Sequence, residues 1–487
     1  MGRASQPLGR PASVPLLAGR AESEGRARAI TATTVTAAAF CAVLLGALAA
    51  YSPVAALGVV VIVGYGALVL RNLPTALALW IPLIFFEGLS GLSYIPEATG
   101  LLLALGWVIA LARSRTSSLG GRVAPIVLAP LAALVLWITA SLLWAQAPEE
   151  SIGALVRVYS VVFLFVMLVN RVTSRRALMW LIGAFVVGAA LSVVYGLLTG
   201  LSEAPGAVGD DATVAQGRLQ GGVGDPNFLA ASLISAAALV GAIGVARRVR
   251  VQFRALLVLA GAVMPIGVLS TGSRGGVLAA IAAVVLTLLI LRGYRRRALA
   301  LVAISLVVVA GYASFSPIAP LDRFTQADSS GGSGRLDLWT VGWRMAADYP
   351  WLGVGIANFQ PRAHEYAREP GALTRVNYIS ETVQEVHNLY LQVATETGVP
   401  GVLLLLAFVS GCVRCTWRAA ERFRASGEHR MATFARLLLI AQVSMLAADT
   451  FLSALVDKRL WIILALGPIL ANIAAREASP ATSTAAV

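Results

Sequence analysis

Runs of roughly 17 to 22 mostly apolar residues recur along nearly the whole chain, broken by short stretches carrying Arg, Gly or Pro, and this restricts the fold more than any other feature. A run of that length crosses a hydrocarbon core of about 30 Å. A segment in that core must satisfy its own backbone hydrogen bonds, so the runs are expected to be helices. Composition agrees: 58% of the 487 residues are hydrophobic and 13% charged, against about half and about a quarter in a soluble domain. The predicted spans lie near 30–50, 54–70, 74–87, 97–112, 124–144, 152–170, 178–199, 226–246, 255–271, 275–291, 298–315, 388–412, 433–452 and 458–474. The expected fold class is therefore all-α, a polytopic transmembrane helical bundle of about 12–14 spans. The lower count applies if 74–87 or another early segment is only re-entrant.

The formal net charge of +14 would suit nucleic acid if it formed one face. Instead it falls in short connections, as Arg113/Arg115/Arg122, Arg171/Arg175/Arg176, Arg247/Arg248/Arg250/Arg254, Arg292/Arg295/Arg296/Arg297 and Arg414/Arg418/Arg422/Arg424. That is the positive-inside pattern, and no nucleic-acid partner is expected. All these clusters share one side if every span crosses, with residues 1–29 as a disordered cytoplasmic tail and 475–487 as a second one. The segment from Ile30 reads as an uncleaved first span rather than a signal peptide. Cys41, Cys412 and Cys415 fall in or beside spans, and Cys412 and Cys415 read as small apolar residues one helical turn apart.

The opposite, outward side receives the longer connections, residues 200–225 and a large loop at 316–386, with a tight turn at 270–275. A loop as long as 316–386 is usually functional. Within it Leu336, Trp339, Trp343 and Ala347 recur at helical spacing, which predicts an amphipathic helix able to lie on the membrane surface. Tyr349 to Gly355 then breaks the pattern, Gln384 to Thr397 is expected to resume as helix, and Gly398-Val399-Pro400-Gly401 interrupts again.

Chemistry is sought first in the outward arginines, because the charge bias works against them. Arg218, Arg274 and Arg335 each lie beside glycines, which allow close backbone approach, and a guanidinium offers planar bidentate donors to phosphate oxygens. Together they resemble a pyrophosphate clamp. Arg218 alone could equally be a solvated loop residue, and Arg335 could touch lipid headgroups. His387, at the outer mouth of a span, has the pKa range of a general base, or could be a hydrogen-bonded structural residue. Asp225 and Asn227, in Gly224-Asp225-Pro226-Asn227, could bind substrate or simply cap a helix. Asp449 lies within a span, where an acid is a functional candidate by default. The sequence has no Asp-x-Asp, His-x-x-x-His, P-loop or Gly-x-Ser-x-Gly motif, so transfer chemistry is expected to rest on Arg and His, with no cofactor and no metal site.

Taken in order, Gly224-Asp225-Pro226-Asn227, Ser273-Arg274-Gly275-Gly276, Gly334-Arg335 with Trp339, Pro350 with Leu352-Gly353-Val354-Gly355, and His387-Asn388-Leu389-Tyr390-Leu391 with Glu396-Thr397-Gly398-Val399-Pro400-Gly401 resemble the O-antigen ligase and polymerase superfamily. The resemblance covers roughly residues 218 to 401. It implies a catalytic core over 200–474, following N-terminal helices at 30–199 that match only as generic spans. It also implies a bacterial, metal-independent, inverting glycosyltransferase of the cytoplasmic membrane. Such an enzyme transfers a glycan from a polyprenyl-pyrophosphate carrier to a polysaccharide, lipid or protein acceptor on the outer face. By the same resemblance His387 faces the acceptor hydroxyl, Arg274 and Arg218 hold the pyrophosphate, and Arg335, Asp225, Asn227 and Tyr390 line the substrate site. A repeat-unit polymerase of the same superfamily and a non-enzymatic transporter of lipid-linked glycan are the alternatives.

Overall fold

The computed structural model describes residues 50–89, 93–113, 122–199, 218–246, 251–315, 335–368, 373 and 385–478. The expected tail at 1–29, residues 479–487 of the tail expected at 475–487, Cys41, Arg115, Arg247, Arg248 and Arg250, and the loop segments 200–217 and 316–334 lie outside them, whereas 475–478 continue the last described helix. The chain divides into two units, Met1–Ala67 and Leu68–Val487. Of the first, the described part is mainly the beginning of helix α1 (Pro53–Arg71); the other helices belong to the second.

The regular elements of that second unit are helices: α2 (Leu73–Trp80), α3 (Tyr94–Arg113), α4 (Pro125–Ala140), α5 (Pro148–Arg171), α6 (Arg175–Leu198), α7 (Pro226–Ala246), α8 (Val251–Ser270), α9 (Arg274–Ile290), α10 (Arg295–Phe315), α11 (Arg335–Asp348), α12 (Phe359–Ala367), α13 (Leu389–Ala425), α14 (His429–Ala448) and α15 (Lys458–Ala478). Helix starts follow local chemistry. Proline, whose missing N–H costs nothing in the first turn, opens α4, α5 and α7. Side chains of Ser174, Ser273 and Asn388 accept first-turn amides of α6, α9 and α13. Among the described residues eight helices are long and apolar enough to cross a membrane, or nine if α9 and α10, bent by 106°, form one broken span. The sequence count of about 12–14 also included the shorter apolar helices 58–71, 73–86 and 255–270 and the first span, of which 30–49 lie outside the described residues.

Small residues let the central helices approach. Ala230, Ala231, Ser232, Ser235 and Ala236 of α7 are buried, and α14 packs along them with the Ser235 hydroxyl donating to the Ala441 carbonyl at 3.2 Å. Gln442 of α14 ties its two neighbours together: it accepts from the Thr416 hydroxyl of α13 at 2.6 Å and donates to the Ile463 carbonyl of α15 at 3.1 Å. Cys412 and Cys415 are buried and unpaired on α13, as apolar residues would be.

Helix α13 runs 37 residues and breaks at Gly398 (φ 68°, ψ −173°). Pro400 has no N–H for the Glu396 carbonyl, so the break frees acceptors that must find other donors. The loop after α11 supplies them. Val354 N–H donates to Thr395 O and Gly355 N–H to Glu396 O, both at 2.9 Å, while Val399 N–H turns to Pro350 O at 2.7 Å. The Trp137 indole of α4 takes Thr397 O at 2.8 Å. The Pro350-to-Gly355 turn is thus clamped onto the kink, and residues 356–358 continue onto α5, where Ser151 donates to Ile356 O at 2.7 Å and Asn358 donates to Ser151 at 2.8 Å.

Helix α11 forms where the spacing predicts a helix. The face that packs is Leu338, Val341 and Met345, in a core shared with Val354, Phe359, Ala363, Tyr366, Val386 and Leu391. Of the predicted stripe, Leu336 is 56% and Trp343 65% exposed, while Trp339 packs partly against that core. A correction concerns Gln384 to Thr397. Residues 385–388 are not helical, because His387 takes a left-handed backbone conformation (φ 51°) and Asn388 then caps a helix that begins at Leu389.

Candidate active site

The connections gathered at one end of the bundle carry nearly all the residues singled out by sequence. At the opposite end the arginine-rich connections meet, where Arg175 pairs with Glu428 and Glu477. His429 lies there too.

The arginine side of the site is built on Asn227. Its Oδ1 accepts from Arg218 Nη2 at 3.0 Å and from the Ser273 hydroxyl at 2.9 Å. Arg218 Nε also donates to the Thr271 carbonyl at 2.9 Å, and Leu219 N–H to Ser270 O at 2.9 Å. Three stretches distant in sequence, the approach to α7, the first turn of α7 and the α8–α9 turn, are therefore locked together. Arg218 is only 6% exposed, and two of its donors brace this turn. Ser273 accepts Gly276 N–H at 3.1 Å as the α9 cap, which sets half-buried Arg274 at the first position of α9, where the helix dipole adds to its positive field. Asp225 Oδ1 accepts Asn227 N–H and Phe228 N–H at 2.7 and 2.9 Å, so its carboxylate caps α7.

The histidine side is held by Ser453 and Phe451, which sequence reasoning did not single out, and by Trp339, which it did. His387 N–H donates to Ser453 Oγ at 3.0 Å. A non-glycine residue in the left-handed region is held there only by its surroundings, and such strain clusters at functional sites. The Trp339 indole donates to Val386 O at 3.1 Å, and its ring lies 6.0 Å from that of Phe451. A β-carbon at Gly275 would sit 2.8 Å from the Phe451 side chain. The segment from Phe451 to Ser453 therefore touches both halves: the Arg274 turn through Phe451 and His387 through Ser453. Arg335 stands half-buried at the start of α11, one turn before Trp339.

Two other candidates face elsewhere. The Tyr390 hydroxyl donates to Leu446 O at 3.0 Å, tying α13 to α14. Asp449 is fully buried, with neither carboxylate oxygen hydrogen-bonded among the described residues; Asp457 and Arg459 are its electrostatic neighbours.

An acidic group with one arginine lies beside His387. Glu385 retains contact with solvent yet is crowded by protein on its other sides. Burial pushes its carboxyl above the usual range and Asp225 adds to this, while a hydrogen bond with Ser453 and the charge of Arg157 oppose it. Arg157 lies in the N-terminal half of α5, and Glu396 beneath the kink also feels both Glu385 and Arg157. Neither Glu385 nor Arg157 sits in a recognisable motif, so only the tertiary arrangement reveals them.

No curated protein matches the chain. Residues 256–406 match the family model described as O-antigen ligase, a stretch that contains Arg274, Arg335, Trp339, His387 and the Gly398 kink, and the match supports the resemblance to the O-antigen ligase superfamily.

Proposed function

We propose that this multi-pass membrane protein transfers a glycan from a polyprenyl-pyrophosphate carrier to an acceptor hydroxyl at the outer face of a bacterial cytoplasmic membrane. The observation that carries the reading is the meeting of the Arg274 turn and His387 on the Phe451-to-Ser453 segment, together with the match to a family whose activity is of the O-antigen ligase or polymerase type. The acceptor oxygen bonds to the anomeric carbon while His387 takes its proton. The bond from that carbon to the pyrophosphate oxygen breaks on the opposite face, which inverts the configuration. Charge growing on the departing pyrophosphate is met by Arg274, with Arg218 behind it and Arg335 on the histidine side; such preorganised stabilisation is commonly the largest catalytic contribution. Pyrophosphate leaves readily, so the mechanism calls for neither a metal ion nor a general acid. The carrier's hydrocarbon tail remains in the bilayer, which accounts for a site at the helix ends.

The test is transfer of labelled glycan from purified carrier-linked donor, in detergent with EDTA, by wild type, His387→Ala and Arg274→Ala. Transfer by wild type and its loss in both variants, with normal folding, supports the reading. Undiminished transfer in either variant overturns that residue's assignment. Donor binding without transfer, across lipid, protein and polysaccharide acceptors, favours a transporter. Product length separates a ligase, which attaches one glycan, from a polymerase, which extends repeat units.

A further inference from the structure

The turn that clamps the kink of α13 leaves two large apolar side chains outside the protein: Trp351 is 69% and Leu352 47% exposed. The other side of the turn is filled by backbone. Gly353 lies at φ 67°, and a β-carbon there would collide with the Glu396–Thr397 peptide. Gly353 N–H donates to Tyr349 O at 3.0 Å, so the turn is closed on itself and presents both side chains outward. What covers them follows from depth. Pro125–Leu143, which is α4 with the short turn after it, is one candidate span of 19 residues, about 28 Å long at about 1.5 Å per residue, close to the thickness of a hydrocarbon core. Leu143 at its end is 86% exposed. The next residue, Trp144, donates its indole N–H to Leu352 O at 3.1 Å, and its ring lies 5.8 Å from that of Trp137. The turn thus hangs from the end of a span. Its second tether agrees: Val399 N–H donates to Pro350 O at 2.7 Å, and beyond Val399 the exposed side chains of Leu403 and Leu406 continue along α13, itself a candidate span.

We propose that Trp351 and Leu352 insert into the phospholipid leaflet at the candidate-site end of the bundle and anchor the loop to the bilayer. The occupant is bilayer lipid, because the patch is continuous with the exposed faces of two spans that lipid already covers. Its chemistry agrees: Leu143, Pro350, Trp351, Leu352 and Val399 carry no charge, and tryptophan favours the boundary between hydrocarbon and water, where its ring is apolar and its N–H is wet. The anchor reaches the candidate site through packing. Val354, two residues beyond Leu352, belongs to the core that α11 shares with Val386, the residue before His387. Lipid contact at the turn therefore fixes the height of that core above the bilayer. This surface is distinct from the α11 stripe, and the sequence marks it only as a break between helices. The proposal does not depend on the glycan-transfer reading.

The experiment places nitroxide labels at Trp351→Cys, Leu352→Cys, Leu403→Cys and His364→Cys in phospholipid nanodiscs, with the chain's own three cysteines replaced by alanine. Leu403, exposed on a span, gives the lipid reference, and His364, exposed on α12, the aqueous one. Labels at 351 and 352 are expected to collide with oxygen in preference to a water-soluble nickel chelate, as the label at 403 does. Collision rates like those at 364 overturn the proposal and assign the turn to the aqueous phase. Labels shielded from both reagents, or broadened by a second spin, overturn it in favour of a second copy of the chain. A further measurement needs no added cysteine. The tryptophan emission that wild type has and Trp351→Phe lacks is expected to be quenched when the nanodisc phospholipid is brominated along its acyl chains, and survival of that difference overturns the proposal.

Discussion

Replacing Gly398 with alanine tests the clamped kink directly. A β-carbon there would lie 2.5 Å from the Trp351 carbonyl oxygen and 2.8 Å from that of Pro350. Both are backbone atoms, so no side chain can swing aside, and the turn must lift away. At φ 68° and ψ −173° the backbone lies in a region essentially confined to glycine, which costs an alanine about 1–3 kcal/mol. Lifting the turn strains the bonds from Val354, Gly355 and Val399, each contributing about 0.5–1.5 kcal/mol. The expected total is about 3–6 kcal/mol. Gly427 supplies the comparison. Its φ of 78° is also positive, but nothing lies within 4 Å of a β-carbon built there, so Gly427→Ala is expected to cost only a conformational part, about 1–2 kcal/mol. Reversible unfolding in mixed micelles, followed by tryptophan fluorescence, measures both. Gly398→Ala should also expose residues 350–358 to limited proteolysis. Equal destabilisation by the two substitutions, or an unchanged cleavage pattern, would refute the idea that backbone apposition, rather than φ alone, demands glycine at 398.

Three further outcomes are expected. Arg274→Lys keeps the charge but not the planar fork, and should lower kcat less than Arg274→Ala, for which a fall on the order of a hundredfold is expected from removing one charge-stabilising donor; steady-state transfer kinetics report both. Thr416→Val and Gln442→Leu should each destabilise the bundle, while the double variant costs less than their sum by about 0.5–2 kcal/mol, since it removes both ends of one buried bond; a double-mutant unfolding cycle measures the coupling. Because Glu385 holds its proton more tightly folded than unfolded, its stabilising contribution is full below the unfolded carboxylate pKa and is lost as pH rises through the folded value. Wild-type stability should therefore decline across that window relative to Glu385→Gln, and parallel unfolding curves at each pH would contradict it.

The sequence revealed most where a one-dimensional rule has a physical cause. Hydrocarbon thickness sets the length of an apolar run, so the spans were legible, and the arginine clusters marked one end of the bundle. Ser273-Arg274-Gly275-Gly276 and the residues around His387 were legible as candidates because charge and glycine are unexpected at span mouths. The partners of these residues were not. Ser453 lies 66 residues beyond His387, and serine in an apolar stretch gives no local sign of which amide it will meet. Arg218 read as a solvated loop residue or a pyrophosphate ligand, because nothing local foretells that Asn227 and Thr271 engage its guanidinium. The break at Gly398 and Pro400 was visible, but the carbonyls it frees are satisfied by a turn about forty residues upstream and by Trp137, and such pairings arise only when the helices assemble.

The segment from Phe451 to Ser453 also imposes an order on biosynthesis. Arg218, Arg274, Trp339 and His387 all leave the ribosome before it, and the contacts that join the Arg274 turn to His387 wait for the turn between α14 and α15 to reach their end of the bundle. A nascent chain in which the α14–α15 hairpin has not yet inserted therefore lacks the join between the Arg274 turn and His387. Insertion of that hairpin and the meeting of the two halves of the candidate site become one event.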